Sequence, residues 1–273
     1  MQQILRGAAY LHNDARMMHR DIKPENILVG LGGVLKLADF GHAARLPDRG
    51  AEEPLFHHVV TVWYRPPELL CRAPFHTPAV DVWSLGCVFA ELLLRQPLFP
   101  SPDPGSGPER DAIERRGQLA AIFRLLGTPV DDPLQQQPLL PRMRDSMLDA
   151  CSAVSTAVAV AADDYGHPTA ISSDANAEAS GPANVWPGCA SLPGFCEFEA
   201  RAPLPWADIM RSARSATPLA LDLLARMLQY DPRRRIRTAD ALAHPWFASA
   251  PLPTAPSELP LTAAARDAMP NAA

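Results

Sequence analysis

Cysteine is scarce, and nothing in its spacing suggests a pair. The five present, Cys71, Cys87, Cys151, Cys189 and Cys196, form no C-x-x-C motif and no metal-ligand spacing, so reduced thiols of a cytoplasmic or nuclear protein are expected. Long apolar runs are missing too. The most apolar part of the low-complexity region, AVSTAVAVAA at 153–162, is short and mostly alanine, and no run is long enough to span a bilayer, so no membrane is expected as a partner. The first residues lack the basic-then-apolar layout of a signal peptide. Positive charge is not in excess either. A net charge of −5, with basic residues in short groups such as Arg233-Arg234-Arg235, gives no reason to expect nucleic acid as a partner. Glycine, at 15, is half as frequent as proline, at 30, which points to many loops and stiff surface segments. No internal repeat is visible.

What is present reads as a folded globular chain. With 273 residues, 47% apolar and 20% charged, it can build one large domain or two small ones. The chain opens on what reads as a helix joined part-way along, with Ile4, Leu5, Ala8 and Leu11 on one face. Two β-like runs follow, NILV and VLKLADF, linked by GLGG as a hairpin. A charged, proline-containing loop runs from 45 to 58. HTPAVDVWSLGCVFAELLLRQ then begins with Thr77 as N-cap and Pro78 at the first helical position, and is apolar nearly all round, as a helix buried in a large core should be. Another helix spans 110 to 126 and stops at Gly127. Two more start at Thr217-Pro218 and at Thr238, so the region beyond residue 70 is expected to be almost wholly helical. About 131–184 differs: rich in Ala, Ser, Asp and Gly and without a sustained apolar period, it reads as a disordered insertion. This gives a domain over 1–248 carrying the insertion, and a Pro/Ala-rich tail over 249–273.

The chemistry is concentrated in MMHRDIKPENILV, residues 17–29. Phosphoryl transfer needs a carboxylate to orient and deprotonate the attacking hydroxyl, and hard oxygen ligands to hold Mg²⁺ on the phosphates. Asp21 supplies the base, Asn26 an amide oxygen for the metal, and Lys23 a positive charge against the phosphoryl group in flight. In DFG, Asp39 adds a second metal carboxylate. Alone, HRD is more often a surface turn and a single DFG is weaker still; in this order and spacing, coincidence is a poor explanation.

With these motifs the chain resembles the C-terminal, large lobe of a eukaryotic protein kinase. The resemblance implies a mainly α fold with a short β-hairpin near the catalytic loop, and ATP and Mg²⁺ as cofactors. PPELL stands where such kinases end their activation segment, which implies a buried pair between Glu68 and Arg235 of DPRRRI. Asp81 of DVWSLG would brace the catalytic loop that carries Arg20. VVTVWYRPPELL and IFRLLGTP are similar to the cyclin-dependent kinase group. By that resemblance Val59, Val60 and Arg65 shape a pocket for the proline that follows the phosphorylated Ser or Thr, and Thr61 bonds the catalytic Asp and Lys. SLPGFCEFEARAPLPWADI and ASAPLPTAPSELPL resemble the cell cycle-related kinases, a ciliary branch, with the CDK-activating kinases next.

Three departures stand out. The small lobe of such kinases, with its Gly-rich loop, strand lysine and helix glutamate, has no counterpart here, since GLGG follows the catalytic loop and does not match G-x-G-x-x-G. The reading is therefore a chain without its N-terminal lobe, and a cyclin-like activator would dock on that missing lobe. Second, GHAARLPDRGAEEPLFHHVVT, residues 41–61, holds no Ser, Thr or Tyr before Thr61, and Phe56 stands where relatives carry an activating threonine. Glu52 and Glu53 either pair with Arg20 or Arg45 in place of a phosphate, or sit on a solvated loop. Third, His42 follows DFG where relatives usually carry leucine. Two functions are open: a Ser/Thr protein kinase acting on Ser/Thr-Pro sites of protein substrates, or, for this chain by itself, an inactive large-lobe binding module.

Overall fold

The computed structural model describes residues 1–30, 33–46, 62–102, 109–131, 184–213, 215–250, 252 and 254–255. Helix α1 (Gln2–Asn13) buries Ile4, Leu5, Ala8 and Leu11, the stripe its sequence shows, and His12 extends that stripe by one turn. Four short strands follow: β1 (Met17–Met18), β2 (Ile27–Val29), β3 (Leu35–Leu37) and β4 (Ala44–Arg45). β2 and β3 form the antiparallel hairpin, with Ile27 opposite Leu37 and Val29 opposite Leu35. Gln3 ties the hairpin to α1, donating to the Gly33 carbonyl at 3.2 Å and accepting from the Leu35 N–H at 2.8 Å. A second antiparallel ladder, β1 with β4, pairs Met17 with Arg45 and Met18 with Ala44. It encloses the hairpin in sequence and brings both ends of the motif-bearing stretch together.

The rest is helical: α2 (Pro67–Leu70), α3 (Ala79–Leu94), α4 (Arg110–Leu126), α5 (Trp206–Ile209), α6 (Pro218–Met227) and α7 (Thr238–Leu242). α3 is the axis of the core, buried without interruption from Val80 to Ala90. Trp83 on it stacks between Phe99 at 5.8 Å and Tyr230 at 6.2 Å. Gly86 lets α3 approach the end of α6, because a Cβ there would stand 2.9 Å from the Leu228 side chain. α1 packs against α7 and β3, so the motif-bearing stretch that follows α1 starts from an element fixed to the core.

Helix ends follow local chemistry unevenly. The Thr217 hydroxyl caps α6 by accepting from the Ala220 N–H at 3.2 Å, with Pro218 at the first helical position. Thr77 does not cap α3. The helix starts at Ala79 behind Pro78, whose own backbone is already helical, and only the Thr77 carbonyl takes part, accepting from the Val80 N–H. Gly127 ends α4 with φ +81, and a Cβ there would meet the Pro203 nitrogen at 2.7 Å.

The stretch beyond residue 70 is less helical than its sequence suggests. Residues 184–205 are irregular apart from one 3-10 turn at Cys189–Ser191, because Pro187, Pro193, Pro203 and Pro205 remove the N–H groups a helix needs. α7 stops at Leu242, and Pro245 opens a separate 3-10 turn. The insertion leaves and returns at one place: Val130 and Val185 form a parallel bridge, with the Val130 N–H donating to the Asn184 carbonyl at 2.8 Å. Residues 132–183 of the insertion and 256–273 of the tail lie outside the described residues. Among the described residues no helix is long and apolar enough to cross a membrane, and Cys71, Cys87, Cys189 and Cys196 are free thiols.

Candidate active site

Asp81, fully buried in the first turn of α3, organises the loop between β1 and β2. Its Oδ1 accepts from the Arg20 N–H at 2.7 Å and its Oδ2 from the His19 N–H at 2.8 Å. His12 Nε2 reaches the same Oδ2 at 2.8 Å, and its Nδ1 faces the Thr238 hydroxyl at 3.4 Å. Arg20 adopts φ +66, a left-handed conformation that a side chain disfavours by roughly 1–2 kcal/mol. The bonds to Asp81 hold it there.

That turn aims the next residues. The Asp21 N–H donates to His19 Nδ1 at 3.3 Å, so His19 carries its proton on Nε2 and donates it to the Ala38 carbonyl at 3.0 Å. Asp21, 8% exposed, has Lys23 Nζ at 2.9 Å from its Oδ2. Asn26 Nδ2 donates to the same Oδ2 at 2.9 Å and to the Asp21 carbonyl at 2.8 Å. The structure thus brings Asp21, Lys23 and Asn26 into one cluster, with Asp21 Oδ1 left out of these bonds.

Asp39 follows the hairpin two residues after β3. The Ala38 N–H, one residue before Asp39, donates to the Asn26 carbonyl at 2.9 Å. Asp39 is exposed, adopts φ +61 and accepts from the Gly41 N–H through Oδ1 at 3.2 Å. These residues suit a magnesium ion. Both amide hydrogens of Asn26 go to Asp21, which leaves its side-chain oxygen as the atom free to meet a cation, and Asp39 adds a solvent-facing carboxylate. Magnesium favours such a sparse set, one or two carboxylates with the remaining positions taken by water and phosphate oxygens. Among the described residues no cluster of three or more His, Cys, Asp or Glu could hold a metal alone.

Arg65 lines a cavity with Arg20, Asp21, Tyr64 and Ser84. Tyr64 is fixed at both ends, its hydroxyl donating to Glu91 at 2.7 Å and its carbonyl accepting from the Ser84 hydroxyl at 2.8 Å. Burial, with Glu91 beside it, pushes the Tyr64 hydroxyl well up from its ordinary value. Burial also pushes the Arg20 guanidinium down, against the pull of Asp81, and Arg20 Nε donates to the His42 carbonyl at 2.6 Å. Glu68 and Arg235 meet below α2. Val59, Val60 and Thr61, and with them Glu52, Glu53 and Phe56, lie outside the described residues.

Sequence reasoning missed His12, His19 and the Tyr64–Glu91 bond. His12 carried a signal: it falls on the α1 stripe four residues after Ala8, where an apolar residue would be due, and a histidine there needs a buried partner. Tyr64 and Glu91 carried none, since 27 residues separate them.

A family model described as "Protein kinase domain" matches residues 1–247. "Cyclin-dependent kinase 20" of Mus musculus is 36% identical over 264 residues, covering 96% of this chain and 56% of that protein. "Cyclin-dependent kinase D-1" of Arabidopsis thaliana is 35% identical over 272 residues, 98% of this chain and 50% of that protein. The chain therefore spans about half the length of the curated relatives it matches. Among solved structures, a chain of the CAK complex from Chaetomium thermophilum bound to ATP-gamma-S superimposes with a TM-score of 0.65 at 29% identity, over 94% of this chain and 60% of that one.

Proposed function

The chain belongs to the protein kinase domain family, and from that premise we propose that it is the catalytic large lobe of a Ser/Thr protein kinase of the cyclin-dependent type, transferring the γ-phosphoryl group of ATP to Ser/Thr-Pro sites in protein substrates. The observation that carries this reading is the state of Asp21. Lys23 and Asn26 both engage Oδ2, so Oδ1 is the oxygen that accepts the substrate hydroxyl. Two donors on one oxygen hold the plane of the carboxylate, as a base of this kind requires. Lys23, within reach of the same oxygen, spreads positive charge over the place where phosphoryl oxygens gather. Asn26 and Asp39 are the residues that would hold Mg²⁺, which when bound neutralises charge on the phosphates. Arg65, with Val59 and Val60, would receive the residue after the phosphoacceptor, and a cyclin is the activating partner this reading implies.

The test is phosphorylation of a peptide library by the natural full-length protein. Selection of proline after Ser or Thr supports the reading, and a library labelled without regard to that position contradicts it. A second reading, non-catalytic binding by this chain alone, is favoured by the exposed apolar residues beside the site: Leu28, Val29, Val34 and Phe40 are each 45–54% exposed. Under it, Mg-ATP produces no thermal shift of the purified 273-residue chain.

A further inference from the structure

Four Ser or Thr residues of the chain precede a proline: Thr77, Ser101, Thr128 and Thr217. Three of them are tied down or buried. Thr128 Oγ1 donates to the Glu199 carbonyl at 2.8 Å and accepts from the Arg201 N–H at 3.0 Å. Thr217 Oγ1 caps α6, accepting from the Ala220 N–H at 3.2 Å. Ser101 is only 8% exposed, and its carbonyl accepts from Trp63 Nε1 at 3.2 Å. Thr77 differs. It is exposed, it leaves α3 uncapped, and its hydroxyl makes no hydrogen bond among the described residues. The chain around it is open as well: residues 73–77 belong to no helix or strand, and Phe75 is 43% exposed. The backbone of Thr77 and Pro78 is held through their carbonyls, which accept from the N–H groups of Val80 at 3.0 Å, Asp81 at 3.2 Å and Val82 at 3.4 Å. These are the first bonds of a helix end, the part of a helix that frays.

We propose that Thr77 is a phosphorylation site, and that the kinase acting on it is a second copy of this protein. The proposal rests on the reading of Asp21 as the base of a Ser/Thr-Pro kinase and names one substrate of that site. Thr77 Oγ1 of one copy attacks the γ-phosphorus of ATP held by the other. An O–P bond forms, the bond from that phosphorus to the β–γ bridging oxygen breaks, ADP leaves, and the hydroxyl proton passes to Asp21 of the acting copy. Within one copy, Thr77 is fixed through Val80 to the same helix whose Asp81 holds the Asp21 loop. Neither can move to meet the other, so the transfer runs between copies. The phosphate adds a charge of about −1.5 to −2 at the N-terminal end of α3, the end at which a helix dipole favours an anion.

The acceptor in the test is the natural full-length protein carrying Asp21→Asn. It is incubated with Mg-ATP, a Ser-Pro peptide and a small amount of the unsubstituted protein, and phosphate is located by mass spectrometry. Thr77 of the acceptor should carry the highest occupancy of the four Ser/Thr-Pro sites, rising with the amount of unsubstituted protein. Adding Thr77→Ala to the acceptor should remove that label without moving its urea midpoint, because the hydroxyl makes no bond that the substitution could break. Thr77→Ser should keep the label. A phosphorylated Ser-Pro peptide beside an unlabelled Thr77 overturns the proposal and leaves the kinase reading standing. With neither labelled, both fall. Equal label at Thr77 when the Asp21→Asn acceptor is incubated alone also overturns the proposal, since the phosphate then owes nothing to a second, active copy.

Discussion

Glu68 and Arg235, 167 residues apart in the chain, meet in a buried two-pronged ion pair, with Nη2 at 2.6 Å from Oε2 and Nη1 on Oε1. Every N–H of the guanidinium is used: Nε donates to the Gln229 carbonyl at 2.7 Å, Nη1 also to Ala79 at 3.0 Å, and Nη2 also to Tyr230 at 3.1 Å. Trp83 covers the group at 5.0 Å. One side chain thus ties α2, the start of α3 and the end of α6 together. Glu68→Met or Arg235→Met should each destabilise the fold by about 3–5 kcal/mol in urea unfolding, because each strands a buried charge. Changing both to methionine should cost less than the sum, since no lone ion is left behind.

Asp81→Asn tests the loop brace. An amide can accept one of the two backbone N–H groups, but its NH₂ then opposes the other and His12 Nε2. Unfolding free energy should fall by about 1–3 kcal/mol, and turnover should fall much further than peptide KM rises, because the turn at Arg20 aims Asp21. A variant with unaltered kcat would show that the brace is structural alone.

The sequence exposed these parts unequally. The α1 stripe, the stop at Gly127 and the β2–β3 hairpin rest on local periodicity or a single residue's backbone freedom, and all three stand in the structure. The β1–β4 ladder does not announce itself, because two residues per strand are too few for a period. The prolines of 184–205 are plain in the sequence, and the N–H groups they remove keep that stretch out of the expected helical region. Asp81, Glu68 and Arg235 were named through family resemblance. No local rule links Asp81 to a loop 61 residues earlier, and only the fold brings their partners within bonding distance. His12 is the reverse case, a polar residue whose place on a helix's apolar face is itself the signal of a buried partner.

Buried thiols give the chain an alkaline limit. Burial pushes Cys71 up to about 12 and Cys189 up to about 11. Both values are raised on folding, so the stability they contribute is complete below the ordinary thiol range. It is lost as pH climbs from about 8.5 towards those folded values, where only the unfolded chain releases protons. Each thiol contributes a slope of at most about 1.4 kcal/mol per pH unit. Unfolding measured from pH 8 to 11 should show this decline, and Cys71→Ala should make it shallower. A slope indifferent to Cys71 would mean that another group governs the decline.

The insertion should be dispensable for folding. Its flanks are fastened to each other: besides the Val130–Val185 bridge, the Trp186 N–H donates to the Val130 carbonyl at 3.0 Å, the Gly188 N–H to Asp131 at 2.9 Å, and Asn184 Nδ2 to the Thr128 carbonyl at 3.1 Å. Replacing residues 132–183 with a short Gly-Ser linker should leave the free energy of urea unfolding unchanged or raise it, by no more than about 2 kcal/mol of loop-closure entropy. A clear loss of stability would show that the inserted residues contribute packing.

The central claim is that Asp21, held by Lys23 and Asn26, is the base of a phosphoryl transfer. The most direct measurement compares phosphorylation of a Ser-Pro peptide by the natural full-length protein and by its Asp21→Asn variant, with Mg-ATP saturating in both. The former should turn over, and the latter should lose at least about 100-fold in kcat with peptide KM little altered. Equal turnover by the two proteins would contradict it.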